Sequence, residues 1–67
     1  MPISTRPIKL LLTADEAAAA LSIGRTLLYH LTMTGQLHSI KVGGARRFPL
    51  QSLQDYVERL RLLERVR

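Results

Sequence analysis

Apolar residues recur every three or four positions in three stretches of the chain and alternate in a fourth, and turn-forming residues separate the stretches. The first stretch opens on Thr13-Ala14-Asp15-Glu16, a capping box in which the Thr13 hydroxyl accepts the Glu16 amide and the Glu16 carboxylate returns the bond. Leu12 and Ala17 occupy the staple positions outside and inside that cap, and Asp15 and Glu16 suit the positive end of a helix. These signals predict a first helix from about Ala14 to Leu21. The run Ala17 to Ala20 forms helix readily, and its short side chains let a second helix cross closely. So short a helix would not hold alone in water, so a packing partner is implied.

Ser22-Ile23-Gly24 interrupts the pattern, with Ile23 as an apolar plug between helices and Gly24 free to take cap geometry. A second helix is expected from about Arg25 to Thr34, ended by Gly35 in the left-handed conformation. Leu28, Leu31 and the methyl side of Thr32 share its inner face. A rotation of about 100° per residue sets Thr26, Tyr29, His30 and Met33 on the opposite side, with Arg25 at its edge.

Beyond Gly35, the segment from Leu37 to Val42 alternates as a strand does, Gly43-Gly44 signals a tight turn, and Ala45-Arg46-Arg47-Phe48 supplies a return strand. A two-stranded hairpin needs support, so Ile40, Val42 and Phe48 are expected to pack on the helices. In a regular strand Arg46 and Arg47 point to opposite sides. Pro49 closes the strand, and Leu50, Leu53, Tyr56, Val57, Leu60 and Leu63 then form the apolar stripe of a third helix. Before all of this, Leu10 to Leu12 either packs under the helices or makes a short strand. The expected organisation is a flexible tail over 1–9, a folded domain over 10–62 and a helix end or tail over 63–67.

Sixty-seven residues make one small domain with a thin core. The absence of cysteine excludes disulfides, thiolate metal sites and thiol nucleophiles. No apolar run suits a signal peptide or a membrane span, so the expectation is a cytoplasmic protein that makes no membrane contact. Ten Lys or Arg oppose five Asp or Glu, a formal charge of +5, and eight of the ten are arginine, whose fork fits phosphate oxygens and guanine edges. No phosphate-binding glycine loop, metal-ligand set or serine-histidine-acid arrangement is visible, so neither enzyme activity nor a metal or other cofactor is expected.

Double-stranded DNA is the partner this pattern suits. Thr26 and His30 could read bases, Met33 could touch thymine methyls, and Arg25 or the Tyr29 hydroxyl could meet phosphate at the helix amino end. Lys41, Arg46 and Arg47 complete the candidate contact set on the hairpin, one arginine in or beside a minor groove and the other against the backbone. Each residue has a bland competitor: Tyr29 as a core-edge aromatic, Met33 as core cover, His30 as a solvated surface group, and the hairpin arginines as a charged edge that discourages strand pairing.

Taken together, Leu12-Thr13 with Glu16, Ala17 to Ala20, Leu21 with Ile23, Tyr29, Gly35-Gln36-Leu37, Val42-Gly43 with Arg46-Arg47, and Leu53-Gln54-Asp55-Tyr56 form a set. From Leu11 to Leu60 the chain resembles the excisionase-type, MerR-like winged helix-turn-helix family. The resemblance implies a mainly α fold, a small winged helix-turn-helix with three helices and a two-stranded β-hairpin. It also implies DNA contact by Arg25, Thr26 and Tyr29 and wing contact by Arg46 and Arg47. The chain departs from the family at Gly24 and Leu27, where serine or threonine is common, and at His30 and Met33, where a basic residue is common. Positive charge is therefore thin along the second helix, and the expected electrostatic grip moves to the wing.

An excisionase, or recombination directionality factor, is the function this resemblance implies. Several copies would self-associate on DNA, bend an attachment site and direct a separate integrase. The alternatives are a small transcription regulator of a prophage, plasmid or host promoter and a protein-interaction module, carried by Leu60 to Val66, without specific DNA binding.

Overall fold

The computed structural model describes residues 9–66, and the tail expected before Lys9 lies outside them. In chain order the elements are β1 (Leu11–Leu12), α1 (Ala14–Leu21), α2 (Arg25–Met33), β2 (Ile40–Val42), β3 (Ala45–Pro49) and α3 (Leu50–Val66). The mainly helical winged architecture is as expected, and the segment left open at the start is a strand. β1 pairs with β3, giving a three-stranded antiparallel sheet in the order β1-β3-β2.

Local chemistry sets the helix limits. The Glu16 amide donates to Thr13 Oγ1 at 3.2 Å and the Thr13 amide donates to Glu16 Oε1 at 3.0 Å, so the capping box is closed in both directions. Lys9 also reaches the Glu16 carboxylate. That contact first, and the Thr13 amide second, hold the Glu16 carboxyl below its ordinary value of 4.5. A lowered folded pKa adds stability above the unfolded value and loses it as pH falls through the folded one. The stability gap between wild type and Glu16→Gln, measured by urea unfolding, should therefore be full near neutrality and close as the pH drops below 4.5.

Both helices of the motif end in the same way. The Ser22 amide donates to Ala19 O and the Ile23 amide to Ala18 O; the Gly35 amide donates to Thr32 O and the Gln36 amide to Leu31 O. These are Schellman closures, which need a left-handed residue after the last turn. Gly35 takes that conformation freely at φ 82°, but at the end of α1 it falls to Ser22 at φ 59°. A side chain there is strained. Ser22→Gly should stabilise the domain by about 0.5–1 kcal/mol, seen as a higher Tm, since relief of strain exceeds the added freedom of the unfolded chain.

The core consists of Ala17, Ala18, Leu28, Leu31, Leu37, Phe48 and Leu53, flanked by Leu12, Ala14, Leu21, Ile23 and Tyr56. Only the first half of the alanine run is buried, which is where α2 crosses α1, and Ala19 and Ala20 are exposed. Ile23 packs against the core as the expected plug. Thr32 is half-buried and its hydroxyl donates to Leu28 O at 2.9 Å.

Two sequence expectations about packing fail. Ile40 and Val42 are exposed, at 37% and 47%, rather than packed on the helices. The reason is register: Gly43 and Gly44, both with positive φ, make a two-residue turn that pairs Ile40 with Arg47 and Val42 with Ala45. Because side chains alternate, Ile40 and Val42 fall on the face opposite Phe48, whereas Lys41 and Arg46 share the Phe48 face. Phe48 reaches the core because it stands opposite Leu12 in the β1–β3 pair. The strand also begins later than expected, at Ile40 rather than Leu37, whose side chain is used as core.

The third helix also differs from its apolar stripe. Only Leu53 is buried and Leu50 and Tyr56 are half-buried, whereas Val57, Leu60 and Leu63 are exposed. The helix outruns the body that its first turns cover. Its first amide is held by the sheet, with the Leu50 N–H donating to Leu10 O at 2.8 Å. Its middle is held by Arg59, which donates to the Gln36 carbonyl and lies over the Tyr56 ring at 5.8 Å. The last residues thus belong to a helix end rather than a loose tail as far as Val66.

Candidate nucleic-acid interface

Helix α2 is the second helix of the helix-turn-helix, and its inner side is fixed by Leu28 and Leu31. That anchoring leaves Thr26, Tyr29, His30 and Met33 along one exposed arc, with Met33 86% accessible. Core cover is thereby excluded as the role of Met33. Leu27, at 46%, extends the exposed surface on the flank. The amino end of α2 is uncapped by any side chain, because Gly24 stands at the cap position. Its first-turn amides remain available to an acceptor.

Arg25 stands at this end. Its Nη2 donates to the Tyr29 hydroxyl at 3.1 Å, its carbon lies 5.7 Å from the Tyr29 ring centroid, and its Nε meets Asp15 Oδ1 of α1 at 3.2 Å. The Tyr29 hydroxyl first, and the Asp15 charge second, raise its pKa above the ordinary arginine value. Tyr29 is neither a free aromatic nor a core residue; it is the shelf on which the guanidinium rests.

The wing carries the second set of candidates. Lys41 and Arg46 stand directly opposite each other on one face of the hairpin, and Arg47 stands opposite Ile40 on the other. The Arg46 guanidinium donates to Ser39 Oγ at 2.6 Å, and Arg47 donates to the Arg46 carbonyl at 2.9 Å. Like charges placed across a strand pair repel. Among the described residues no ion pair relieves Lys41, Arg46 or Arg47. The structure thus sets the expected residues on an uncharged helix face bounded by Arg25 and on two faces of the wing, Lys41 with Arg46 on one and Arg47 on the other.

Two neighbours escaped the sequence reading. Ser39 could have been found by fixing the hairpin register, which places it diagonal to Arg46. Asp15 could not have been found by any local rule, because its partner lies ten positions away across the turn between the helices.

Among the described residues, Asp55, Glu58 and Glu64 of α3 balance Arg59, Arg61 and Arg65, and the excess of positive charge lies before that helix in the chain. No described helix is long and apolar enough to cross a membrane.

A helix-turn-helix followed by a basic β-hairpin defines a class of small DNA-binding domains. Residues 11–61 match the model of a helix-turn-helix domain family. The chain is 43% identical over 54 residues to a probable excisionase of Saccharopolyspora erythraea, an alignment covering 81% of this chain and 55% of that protein. It is 44% identical over 48 residues to an excisionase of Streptomyces ambofaciens, covering 72% of this chain and 77% of the relative. The chain therefore belongs to the excisionase-type helix-turn-helix family, although it spans only about half the length of the first of these relatives. No solved structure matches it.

Proposed function

We propose that the protein is a recombination directionality factor that binds duplex DNA with α2 against the major groove and the wing alongside, and performs no covalent chemistry itself. The observation that carries this reading is the cross-strand Lys41–Arg46 pair, two like charges held together without a carboxylate. Such a pair is unfavourable in the free protein and favourable against an anion. The resemblance to proteins named as excisionases supports assigning the pair to excisive recombination.

On this reading Arg25 and the free amides of α2 take one phosphate. Thr26, His30 and Met33 face base edges, while Lys41, Arg46 and Arg47 grip the backbone or an adjacent minor groove. Several copies bind side by side, and their summed contacts offset a bending cost of several kcal/mol in the attachment site. The bent site then directs a separate integrase toward excision. The balanced charge of α3 lets neighbouring copies of a +5 chain approach at that helix.

A DNA-bending measurement on the attachment region of the chain's own mobile element, combined with an excision assay using its integrase, tests the proposal. Bending together with a shift toward excision is expected. Site-specific binding that changes neither bend nor direction would refute directionality control and leave a promoter-binding regulator.

A further inference from the structure

The ion pair between Asp15 and Arg25 contributes nothing that the fold requires. The α1 cap is made by Thr13 and Glu16, and the Asp15 and Arg25 side chains remain 76% and 61% accessible. Ion pairs so exposed add little stability. At a surface that meets polyanionic DNA, a carboxylate also repels the partner. The positive end of α1 favours a carboxylate at this position, but it does not account for that carboxylate standing 3.2 Å from Arg25 Nε.

The geometry of the guanidinium accounts for it. Nε and Nη2 form one edge of the fork: Nη2 donates to the Tyr29 hydroxyl at 3.1 Å, and the Asp15 carboxylate lies 3.2 Å from Nε as an ion pair. The other edge, formed by Nη1 and the second hydrogen of Nη2, is left to an incoming ligand. It has the spacing for two phosphate oxygens or for the O6 and N7 of guanine. A free arginine loses much side-chain freedom on binding, whereas one gripped by its inner edge has already lost it. Tyr29 accepts one hydrogen bond from Arg25 and keeps its own hydroxyl proton to donate.

We infer that Asp15 is a positioning residue for DNA recognition, which fixes Arg25 against Tyr29 so that its outer edge is presented in one orientation. It lowers affinity for DNA in general and raises discrimination between sites. The inference rests on the DNA-binding reading above and adds to it a residue outside the recognition helix.

The test uses two probes, the duplex most enriched by the wild-type protein from a randomised pool and a scrambled duplex of the same composition. Asp15→Asn should bind the scrambled duplex more tightly, through loss of a like charge. The ratio of enriched to scrambled affinity should fall by at least about twofold, the lower range of coupling between contacting residues. In an Arg25→Ala background the same change should no longer alter the ratio. In the free protein, the Arg25 Nε proton should exchange faster with water in Asp15→Asn, with the Tm lowered by no more than the loss of one charge at the α1 amino end, a readout that needs no DNA. Equal tightening on both duplexes, or a ratio change that persists without Arg25, would overturn the inference while leaving DNA binding intact. A wild-type protein with no salt-dependent duplex binding would overturn both.

Discussion

Phe48→Ala is expected to leave the domain largely unfolded at 37 °C. Phe48 is fully buried, stands opposite Leu12 in the β1–β3 pair, and belongs to a core of seven buried residues among those described. Truncating a buried phenylalanine costs about 3–5 kcal/mol. A single core in a chain of this size rarely supplies more than about 3–5 kcal/mol in all. The loss therefore matches the whole margin. Circular dichroism should show a broad, non-cooperative melt for the alanine variant and a cooperative one, shifted downward, for Phe48→Leu. A cooperative wild-type-like melt for Phe48→Ala would mean that the sheet is not what joins the hairpin to the helices.

The second large effect concerns binding. Each phosphate contact changes the slope of log affinity against log salt by about 0.9, equivalent to nearly an order of magnitude at 0.1 M. Arg46→Ala should lower that slope by about 1, and Lys41→Ala with Arg46→Ala by about 2, from an expected wild-type value of about 3–5. The loss should be similar on selected and random duplexes, since the wing is assigned to backbone rather than bases. A melt of each variant separates binding from folding: removing one of two like charges across the strand pair raises the Tm and losing the Arg46–Ser39 bond lowers it, so only a small net change is expected. An unchanged slope in the double variant would remove the wing from the interface. Thr26→Ala differs in kind: it should redistribute preference among sites, read from selection on a randomised duplex pool, with little change on random DNA.

Much of this fold is local and therefore legible. The Thr13–Glu16 box, Gly35 and the Gly43-Gly44 turn fix their elements through chemistry within a few residues, and the first two expected helices agree with the observed ones to a residue. What escaped depends on parity and distance. A one-residue offset in the hairpin decides whether Ile40 or Lys41 shares a face with Phe48, and hydrophobic alternation alone chose wrongly. Leu53, Val57, Leu60 and Leu63 read as one stripe because periodicity records which face is apolar. It does not record how far the neighbouring elements extend to cover it. The Arg25–Asp15 contact depends on how two helices meet, and the acid had an adequate local explanation in the helix dipole. The candidate interface was thus legible as a set of residues and illegible as a geometry.

The even charge balance of α3 has a kinetic corollary. Among the described residues the surplus of positive charge lies outside α3, on Lys9, Arg25, Lys41, Arg46 and Arg47 against Asp15 and Glu16, so the field of a nearby duplex exerts a torque as well as a pull. Molecules would turn during approach, so that the neutral helix trails and a larger share of collisions begins in a productive orientation.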